Sequence, residues 1–226
     1  MDEKTRLVQQ DFDRLAPHEG EGWTHNRHYS DYLLRQMPEP CLRACEIGCG
    51  IGELARRMAT RAESLVAIDL SPAMIDRAKS LSGEYSNIQY MVGDVMEYPF
   101  EPNSFDFMVS VATLHHLDAA AVFDRLKQAL APGGVLATLD LYKEETLGDY
   151  LTSIIAIPLD RVMNFKHNGS APHSIEARAL WDEHGKHDSY LTLKEIRQVS
   201  ATILPGAVVR RHLLYRYSLL WKKPSS

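Results

Sequence analysis

The sequence predicts an α/β fold in which helices cover both faces of a seven-stranded, mostly parallel β-sheet. Short apolar runs alternate with helical patterns from Leu42 onward, and glycine or proline turns separate them. The runs are continuously apolar, which is typical of strands that are buried on both sides. The last two runs lie close enough along the chain to pair antiparallel, so we expect the last strand to oppose the others.

Length and composition indicate an ordinary globular chain. Of its 226 residues, 45% are hydrophobic and 24% are charged, which excludes a disordered or low-complexity protein. No stretch approaches the roughly 18 consecutive apolar residues of a membrane helix. The charged start at Met1 lacks the apolar region of a secretory signal, and three cysteines do not form a disulfide framework. We therefore expect one domain over residues 1–226, a cytoplasmic location, no membrane partner, and a monomer or homodimer.

Residues 1–40 are predicted to form a helical lid. Apolar side chains recur at helical spacing between Leu7 and Leu15, and Pro17 with the glycines after it ends this helix. A second helix should run from Ser30, as its N-cap, to Met37. The side chains suited to cover a bound ligand are Phe12, Trp23, His25, Asn26 and Tyr29.

Residues 41–141 are predicted to form a core of five strands and their connecting helices. The second of these helices should begin with Ser71 as its cap and Pro72 at its first position. The helix Ala119–Leu130 should stop at Pro132 and the two glycines after it. The predicted strands are Leu42–Ile47, Leu65–Ile68, Ile88–Val92, Phe105–Val111 and Val135–Leu141.

Residues 142–189 interrupt the alternation and are predicted to be helices and loops inserted after the fifth strand. Leu151–Leu159 is interpreted as a core-facing helix of this insertion. Residues 190–226 should add a closing helix near Leu193–Leu204 and then the strands Ala207–Leu213 and Tyr217–Trp221. We interpret three basic residues here as charges on strand faces: Arg210, Arg211 and Arg216.

The turn after the first strand carries the clearest chemical signal. Glycines at a strand-to-helix turn let the backbone approach a ligand closely, and Gly50–Ala55 also satisfies the dinucleotide fingerprint G-x-G-x-x-A. Glu46 beside this turn would repel a pyrophosphate, but it suits the cationic amine and sulfonium of S-adenosylmethionine. Asp69, at the end of the second strand, has the spacing for ribose hydroxyls, and Asp94 follows the third strand. The three carboxylates should meet at one edge of the sheet.

Six segments in this order resemble the class I S-adenosylmethionine-dependent methyltransferases that act on small molecules. The similarity covers about Leu42–Leu141. Glu46 departs from the Asp that the family often has, but it keeps the charge. The segments are Glu46–Gly52, Asp69–Met74, Gly93–Val95, Phe105–Ser110, Leu114–Leu117 and Leu130–Leu136.

The resemblance implies a Rossmann-like fold, S-adenosylmethionine as the cofactor, and a cofactor-binding role for residues 41–141. The implied site residues follow the chain: Glu46, Gly48, Cys49 and Gly50 at the methionine part, Asp69 at the ribose, Leu70 and Met74 beside the adenosine, Asp94 and Val95 at the adenine, and the backbone of Ser110 and Val111 at the cofactor amine, with His115 close by. The N-terminal helices and the insertion 142–189 would cover the acceptor.

The acceptor is predicted to be a small or peptide-like anion that is methylated on oxygen. The chain is acidic up to Asp140 and basic after it, and a basic acceptor pocket favours an anion. A carboxylate acceptor is already ionised at neutral pH, so it needs orientation rather than a base. Arg161 would supply a two-pronged contact. N- or C-methylation with His115 or His116 as the base is the alternative. The further candidates for the acceptor side are Lys166, His167, His173, His184, His187 and Tyr190.

Two other functional classes stay open. A nicotinamide-dependent reductase would share the glycine turn, but it usually has a Tyr–Lys pair where His115 and His116 stand. A regulator that binds S-adenosylmethionine without transferring its methyl group is the other. A nucleic-acid partner is disfavoured by the acidic first half and by Ser110–Thr113, which lacks the Pro-Pro-aromatic signature of base methylation. No metal site is predicted, because an extended strand would not gather the three cysteines at one place.

Overall fold

The computed structural model describes residues 1–20, 24–168, 175–186 and 188–225. Seven strands form one sheet in the order β3-β2-β1-β4-β5-β7-β6. The five strands β1 to β5 pair in parallel, and β7 pairs antiparallel with both β5 and β6. The predicted fold class, including the opposed last strand, is confirmed. The strands are β1 Cys41–Ile47, β2 Ala62–Asp69, β3 Ile88–Val92, β4 Phe105–Val111, β5 Leu130–Asp140, β6 Val208–Arg211 and β7 Tyr217–Lys222.

Helices pack on both faces of the sheet and over its carboxyl edge. Among the described residues, no helix combines the length and the apolar character that crossing a membrane requires. Short 3-10 turns lie at Ala16–His18 and Leu114–His116. The helices are α1 Glu3–Leu15, α2 His25–His28, α3 Ser30–Leu34, α4 Glu53–Ala59, α5 Pro72–Leu81, α6 Ala119–Ala129, α7 Leu147–Asn168, α8 Ile175–His184 and α9 Leu193–Ile203.

The helix starts follow from local side-chain chemistry. Ser71 caps α5 by accepting from Met74 N, as predicted. Thr192 and Glu195 form a capping box at α9. The predicted cap Ser30 is wrong, because it is the first residue inside α3 and its hydroxyl makes no capping bond. Thr24 instead caps the preceding turn α2.

The sheet separates two apolar layers. Phe107 and Met108 are successive residues of β4, and both are fully buried on opposite sides. One layer contains residues of α3, α4 and α5, and the other contains residues of α6 and α9. Burial on both faces explains why the strands read as continuous apolar runs.

Two boundaries differ from the prediction. Strand β5 begins at Leu130 rather than Val135, so Pro132 and the glycines after it lie inside the strand and do not end the helix. Pairing supplies the reason, since Leu130 lies opposite Phe105 across a bulge and Gly133 N donates to Lys223 O at 2.9 Å. The helix over Leu151–Leu159 exists, but it does not face the core. Leu151 and Ile154 of α7 are 61% and 63% exposed.

Candidate active site

A cavity of about 680 Å³ opens at the carboxyl edge of the parallel strands. The turns after β1, β2, β3 and β4 form its floor, while α1, α2 and α8 form its walls. Parallel α/β sheets bind their ligands at this edge, because the strand ends and helix N-termini converge there. Most of the predicted site residues therefore meet in one place.

The glycine turn brings backbone amides to the cavity floor. Gly48 N and Cys49 N both donate to Ile68 O, at 2.8 and 3.0 Å, and this pins the turn to β2. Gly48 and Gly50 have φ values of 69° and 51°, which glycine adopts without strain. A Cβ at Gly48 would lie 2.0 Å from Thr113 Oγ1, so the close approach of these two segments requires glycine.

Glu46 places a buried carboxylate beside this turn. Its side chain lines the cavity and is 3% exposed, and Oε2 has no hydrogen-bond partner within the described residues. Burial, followed by the charges of Asp69 and Glu53, raises the pKa of Glu46 well above its usual range. An orphaned carboxylate oxygen in such a place suits a ligand that brings a positive charge.

Asp69 and Asp94 stand at the ends of the next two strands. Asp69 accepts from Gly50 N at 2.8 Å and from Ser71 N at 2.9 Å. Burial raises the pKa of Asp69 to about 6, against these two amide donors, which lower it. Asp94 accepts from Met96 N at 2.8 Å. Further predicted cofactor residues that line the cavity are Cys49, Leu70, Met74, Val95, Val111 and His115.

Ser110 does not line the cavity. Its hydroxyl donates to Ile47 O at 3.1 Å, and the residue is 1% exposed. The side chain therefore ties β4 to β1 within the sheet. The prediction placed the backbone of Ser110 at the cofactor, but the cavity begins at the next residue, Val111, where β4 ends.

Three histidines surround one carboxylate at the end of the cavity that faces α8. His116 Nδ1 lies 3.3 Å from Asp188 Oδ1, and His184 Nε2 lies 3.7 Å from the same oxygen. His115 Nε2 lies 3.9 Å from Asp188 Oδ2, to which the Tyr190 hydroxyl donates at 2.6 Å. We call His115, His116, His184, Asp188 and Tyr190 the histidine cluster.

Outer carboxylates hold two of these rings. His115 Nδ1 lies 2.6 Å from Asp140 Oδ1 at the end of β5, and His184 Nδ1 lies 3.1 Å from Asp11 Oδ2 on α1. Burial alone would raise the pKa of Asp140, but the charge and hydrogen bond of His115 hold it below its usual range. Burial, and then the charge of His115, lower the pKa of His116 to about 3. His116 is therefore neutral at physiological pH.

Two of the basic acceptor residues predicted in the insertion, Arg161 and Lys166, do not line the cavity. Arg161 and Lys166 are exposed on α7, on a helix that turns outward. The side chain of His167 and the whole of His173 and His187 lie outside the described residues. Arg216, interpreted from the sequence as a strand-face charge, is instead 8% exposed and lines the cavity.

The predicted lid is placed in part. Phe12, His25 and Asn26 line the cavity, but the Tyr29 hydroxyl donates outside it, to Leu213 O at 2.8 Å. Trp23 lies outside the described residues. Helix α1 packs against α8 and α5 and forms one wall of the cavity.

The known proteins whose sequences resemble this chain are methyltransferases. A family profile described as "Methyltransferase domain" matches residues 45–138. A protein of Mycobacterium tuberculosis known as an uncharacterized methyltransferase is 30% identical over 207 residues, which is 89% of this chain and 98% of that protein. The chain belongs to the class I S-adenosylmethionine-dependent methyltransferases. A ubiquinone biosynthesis O-methyltransferase of Xanthomonas campestris is 34% identical over 109 residues, or 47% of this chain and 46% of that enzyme.

Solved structures share the methyltransferase fold. NodS, an N-methyltransferase of Bradyrhizobium japonicum in complex with S-adenosylhomocysteine, has a TM-score of 0.63 at 17% identity and covers 99% of this chain and 100% of its own. An N-methyltransferase of Haemonchus contortus, bound to phosphomonomethylethanolamine and S-adenosylhomocysteine, has a TM-score of 0.68 at 18% identity. It covers 97% of this chain and 58% of its own. The cofactor of this methyltransferase is S-adenosylmethionine, and the orphaned oxygen of Glu46 fits its cationic amine.

The pKa of Asp69 predicts a pH dependence of nucleoside binding. Its carboxylate is charged above about pH 6 and neutral below, so a ribose that needs two acceptor oxygens should bind more weakly as the pH falls. We expect the affinity for 5′-methylthioadenosine to fall by up to about tenfold per pH unit below 6. This probe lacks the amine that Glu46 would bind, so the contact of that carboxylate with the amine does not enter the measurement.

The control for this measurement is Asp69→Asn, which removes the titrating group and keeps its shape. It should bind 5′-methylthioadenosine weakly and equally at pH 5 and pH 7.5. Calorimetric titration of both proteins would measure this. A native affinity that stays constant between these two pH values would contradict the assigned ribose contact.

Proposed function

We propose that this methyltransferase transfers the methyl group of S-adenosylmethionine to an oxygen of a small acceptor that carries a carboxylate. The observation that supports it is the buried guanidinium of Arg216. This side chain lines the cavity, yet no carboxylate oxygen of the described residues lies within 4.0 Å of it. A buried cation without a paired anion is costly, so a bound anion is its natural partner.

The contacts of Arg216 leave room for this role. Its Nε donates to Asn26 Oδ1 at 2.9 Å, and Nη1 donates to Tyr215 O at 3.4 Å. Both contacts hold the side chain in place without neutralising it. Burial lowers the pKa of Arg216, which the nearby Asp140 charge partly opposes, but arginine stays charged at physiological pH.

The position of Arg216 supports a role at the acceptor rather than at the cofactor. It directly precedes β7, whose first residue Tyr217 pairs with Asp140 at the end of β5. The glycine turn and the carboxylates Glu46, Asp69 and Asp94 lie on the other side, after β1, β2 and β3. In this assignment the cofactor lies over β1 to β3, and the acceptor lies over β4, β5 and β7.

Within the cofactor part, each predicted residue receives one contact. Glu46 would hold the amine, and the amides of the glycine turn would approach the methionine part. Asp69 would accept from the ribose hydroxyls, and Asp94 would accept from the adenine amino group. The residues expected to pack beside these groups are Cys49, Leu70, Met74, Val95 and Val111.

The reaction itself is an in-line displacement. A lone pair of the acceptor oxygen forms a bond to the methyl carbon, the carbon–sulfur bond breaks, and its electron pair stays on the sulfur as a neutral thioether. The hydroxyl proton leaves to water at the cavity mouth. Alignment of the two reactants can supply roughly 7–11 kcal/mol. Arg216 would hold the carboxylate and the histidine cluster would meet the reacting hydroxyl, so that two points fix the acceptor behind the methyl group.

This proposal keeps oxygen as the methylated atom but changes both the anchor and the group that reacts. The sequence predicts methylation of a carboxylate oriented by Arg161, but Arg161 lies exposed on helix α7. With Arg216 as the anchor, the carboxylate is held and a neighbouring hydroxyl faces the histidine cluster. The O-methyltransferase of Xanthomonas campestris that matches about half of this chain supports oxygen as the methylated atom.

The test compares hydroxy acids with their amides as acceptors, with methyl transfer measured by mass spectrometry of the product. We expect turnover of the acids, and we expect Arg216→Ala to raise KM for the acid at least about 30-fold, the cost of about 2 kcal/mol for a lost buried charge pair. Arg210→Ala, an exposed arginine on β6, is the matched control. An acid and its amide that react equally well would refute the anchor.

The fragmentation pattern of the product decides the methylated atom. A methyl ether on the hydroxyl is expected. A methyl ester would return the carboxylate to the reacting position, and methylation on nitrogen or carbon would contradict the proposal. Binding of S-adenosylhomocysteine without turnover of any acceptor would favour a regulatory protein.

A further inference from the structure

We propose that His115, His116 and Asp188 bind a divalent metal ion, with Zn²⁺ as the best-suited cation, at the acceptor end of the cavity. These residues offer one ligand atom each, and the three atoms lie within 4.8 Å of one another. Two are consecutive histidines on the 3-10 turn after β4, and the third follows α8 far along the chain.

The three ligand atoms lie no more than 4.8 Å apart, and the two distances to Asp188 involve its two different oxygens. His116 Nδ1 lies 3.3 Å from Asp188 Oδ1, and His115 Nε2 lies 3.9 Å from Asp188 Oδ2. Ligands at about 2.1 Å around a tetrahedral ion lie about 3.4 Å from each other. Small side-chain rotations would therefore bring all three to bonding distance.

The outer contacts are those that a metal site needs. His115 Nδ1 donates to Asp140, which turns Nε2 of the same ring toward Asp188. Metal-bound histidines commonly use such a carboxylate on the second nitrogen, because it fixes the ring and raises its basicity. Tyr190 donates to Asp188 Oδ2 and fixes that carboxylate in the same way.

His184 approaches the site from a fourth direction. Its Nε2 lies 3.7 Å from Asp188 Oδ1, and its other nitrogen contacts Asp11. It belongs to the outer contacts here, since among the described residues the close group of ligand atoms comprises His115, His116 and Asp188. Three protein ligands beside a cavity leave one position open, which is the arrangement of catalytic rather than structural zinc sites.

The donor set selects the kind of cation. Two imidazoles and one carboxylate suit Zn²⁺ and similar transition metals, whereas Mg²⁺ and Ca²⁺ prefer oxygen ligands alone. The side chains of the three residues are 5–8% exposed, so water competes little for the ion. A surplus of negative charge is also present, because Asp140 lies directly behind His115.

The role of the ion rests on the proposed function. An acceptor hydroxyl that occupies the open position would lose its proton to water at the cavity mouth, because coordination to Zn²⁺ lowers the pKa of a bound hydroxyl strongly. The resulting oxyanion then attacks the methyl group as described above. Binding of the ion itself does not depend on any acceptor.

The test is metal binding by the full chain without an acceptor. After treatment with a chelator, the protein would be titrated with Zn²⁺ and with Mg²⁺ in separate calorimetric experiments, and bound metal would be quantified by elemental analysis. We expect one Zn²⁺ per chain with submicromolar affinity and no binding of Mg²⁺ at the same concentrations. S-adenosylhomocysteine binding, measured in parallel, reports that each variant is folded.

Two ligand variants and one control locate the site. His116→Ala and Asp188→Ala should each weaken Zn²⁺ binding at least about 100-fold, since loss of even an outer contact costs 10–100-fold. His18→Ala, on the first 3-10 turn, is the matched control and should bind as the native chain does. Equal Zn²⁺ affinity in the native protein and His116→Ala, or no stoichiometric Zn²⁺ at all, would refute the site. Because acceptor turnover is measured separately, such a result would leave the anchor role of Arg216 standing.

Discussion

Glu46→Gln is expected to weaken binding of S-adenosylhomocysteine about 100-fold while it raises the thermal stability of the free protein. The affinity falls because the amide cannot pair with the cationic amine of the ligand. A hundredfold loss corresponds to about 2.7 kcal/mol, which lies within the usual cost of removing one partner from a buried charge pair.

The stability of the free protein rises because the substitution removes an unfavourable buried charge. In the free protein, burial and the neighbouring charges of Asp69 and Glu53 raise the pKa of Glu46, so its ionised form costs folding free energy at neutral pH. A neutral side chain of the same shape removes that cost. We expect the melting temperature to increase by about 2–4 °C, which corresponds to about 1 kcal/mol for a chain of this size.

The pH dependence of this gain follows from the direction of the shift. A carboxyl group with a raised pKa loses stability as the pH rises above its unfolded value, so the advantage of Glu46→Gln should be largest near pH 8 and should vanish toward pH 4. Calorimetric melting and ligand titration measure both effects. Glu63→Gln, an exposed glutamate on β2, is the control and should change neither. A destabilised Glu46→Gln protein would contradict the cost assigned to the buried charge.

Gly48→Ala is expected to destabilise the protein by about 2–5 kcal/mol and to abolish cofactor binding. The φ of 69° at Gly48 costs any other residue about 1–2 kcal/mol. The added Cβ would also lie 2.0 Å from Thr113 Oγ1, and such overpacking typically costs about 1–3 kcal/mol. The glycine turn can move away from Thr113 only if the loops after β1 and β4 separate, and these loops form part of the cavity floor.

The matched control for this change lies two residues away. Gly50 also has a positive φ, 51°, but nothing stands within 4 Å of the position of its Cβ. Gly50→Ala should therefore lose only the conformational part, about 1–2 kcal/mol. All three nearest atoms to a Cβ at Gly48 belong to Thr113, so a second change, Thr113→Gly, should restore part of the stability of Gly48→Ala. Equal melting temperatures for Gly48→Ala and Gly50→Ala would contradict the steric argument.

The residues that could be placed from the sequence lie in the glycine turn and at the ends of the parallel strands. The glycine turn follows β1 directly, and Glu46, Asp69 and Asp94 stand at or next to the carboxyl ends of strands β1, β2 and β3. Parallel pairing alone then brings these ends to one edge, so a chain order and an apolar pattern suffice to assemble them. Ser110, which also stands next to the carboxyl end of its strand, does not line the cavity, because its hydroxyl donates to Ile47 O and the residue is 1% exposed.

The residues that could not be placed from the sequence reach the cavity through packing between distant segments, or fail to reach it for the same reason. The sequence pattern does not distinguish Arg161 from Arg216, but Arg161 is exposed on α7, whereas Arg216, directly before β7, is buried and lines the cavity. Asp188 carried no signal at all, because its partners His115 and His116 belong to another part of the chain. The same is true of Asp11, which reaches His184 only through the contact of α1 with α8.

The fold class, the family and the meeting of Glu46, Asp69 and Asp94 at one edge of the sheet could be predicted from the amino-acid pattern. These depend on local strand, turn and helix patterns that repeat within a few residues and that parallel pairing aligns. The histidine cluster and Arg216 could be placed only by the folded structure, which brings together the N-terminal helix, the turn after β4, the segment after α8 and the residue before β7. Contacts among such remote segments are set by the packing of whole helices against the sheet, so they cannot be predicted from the spacing of residues along the chain.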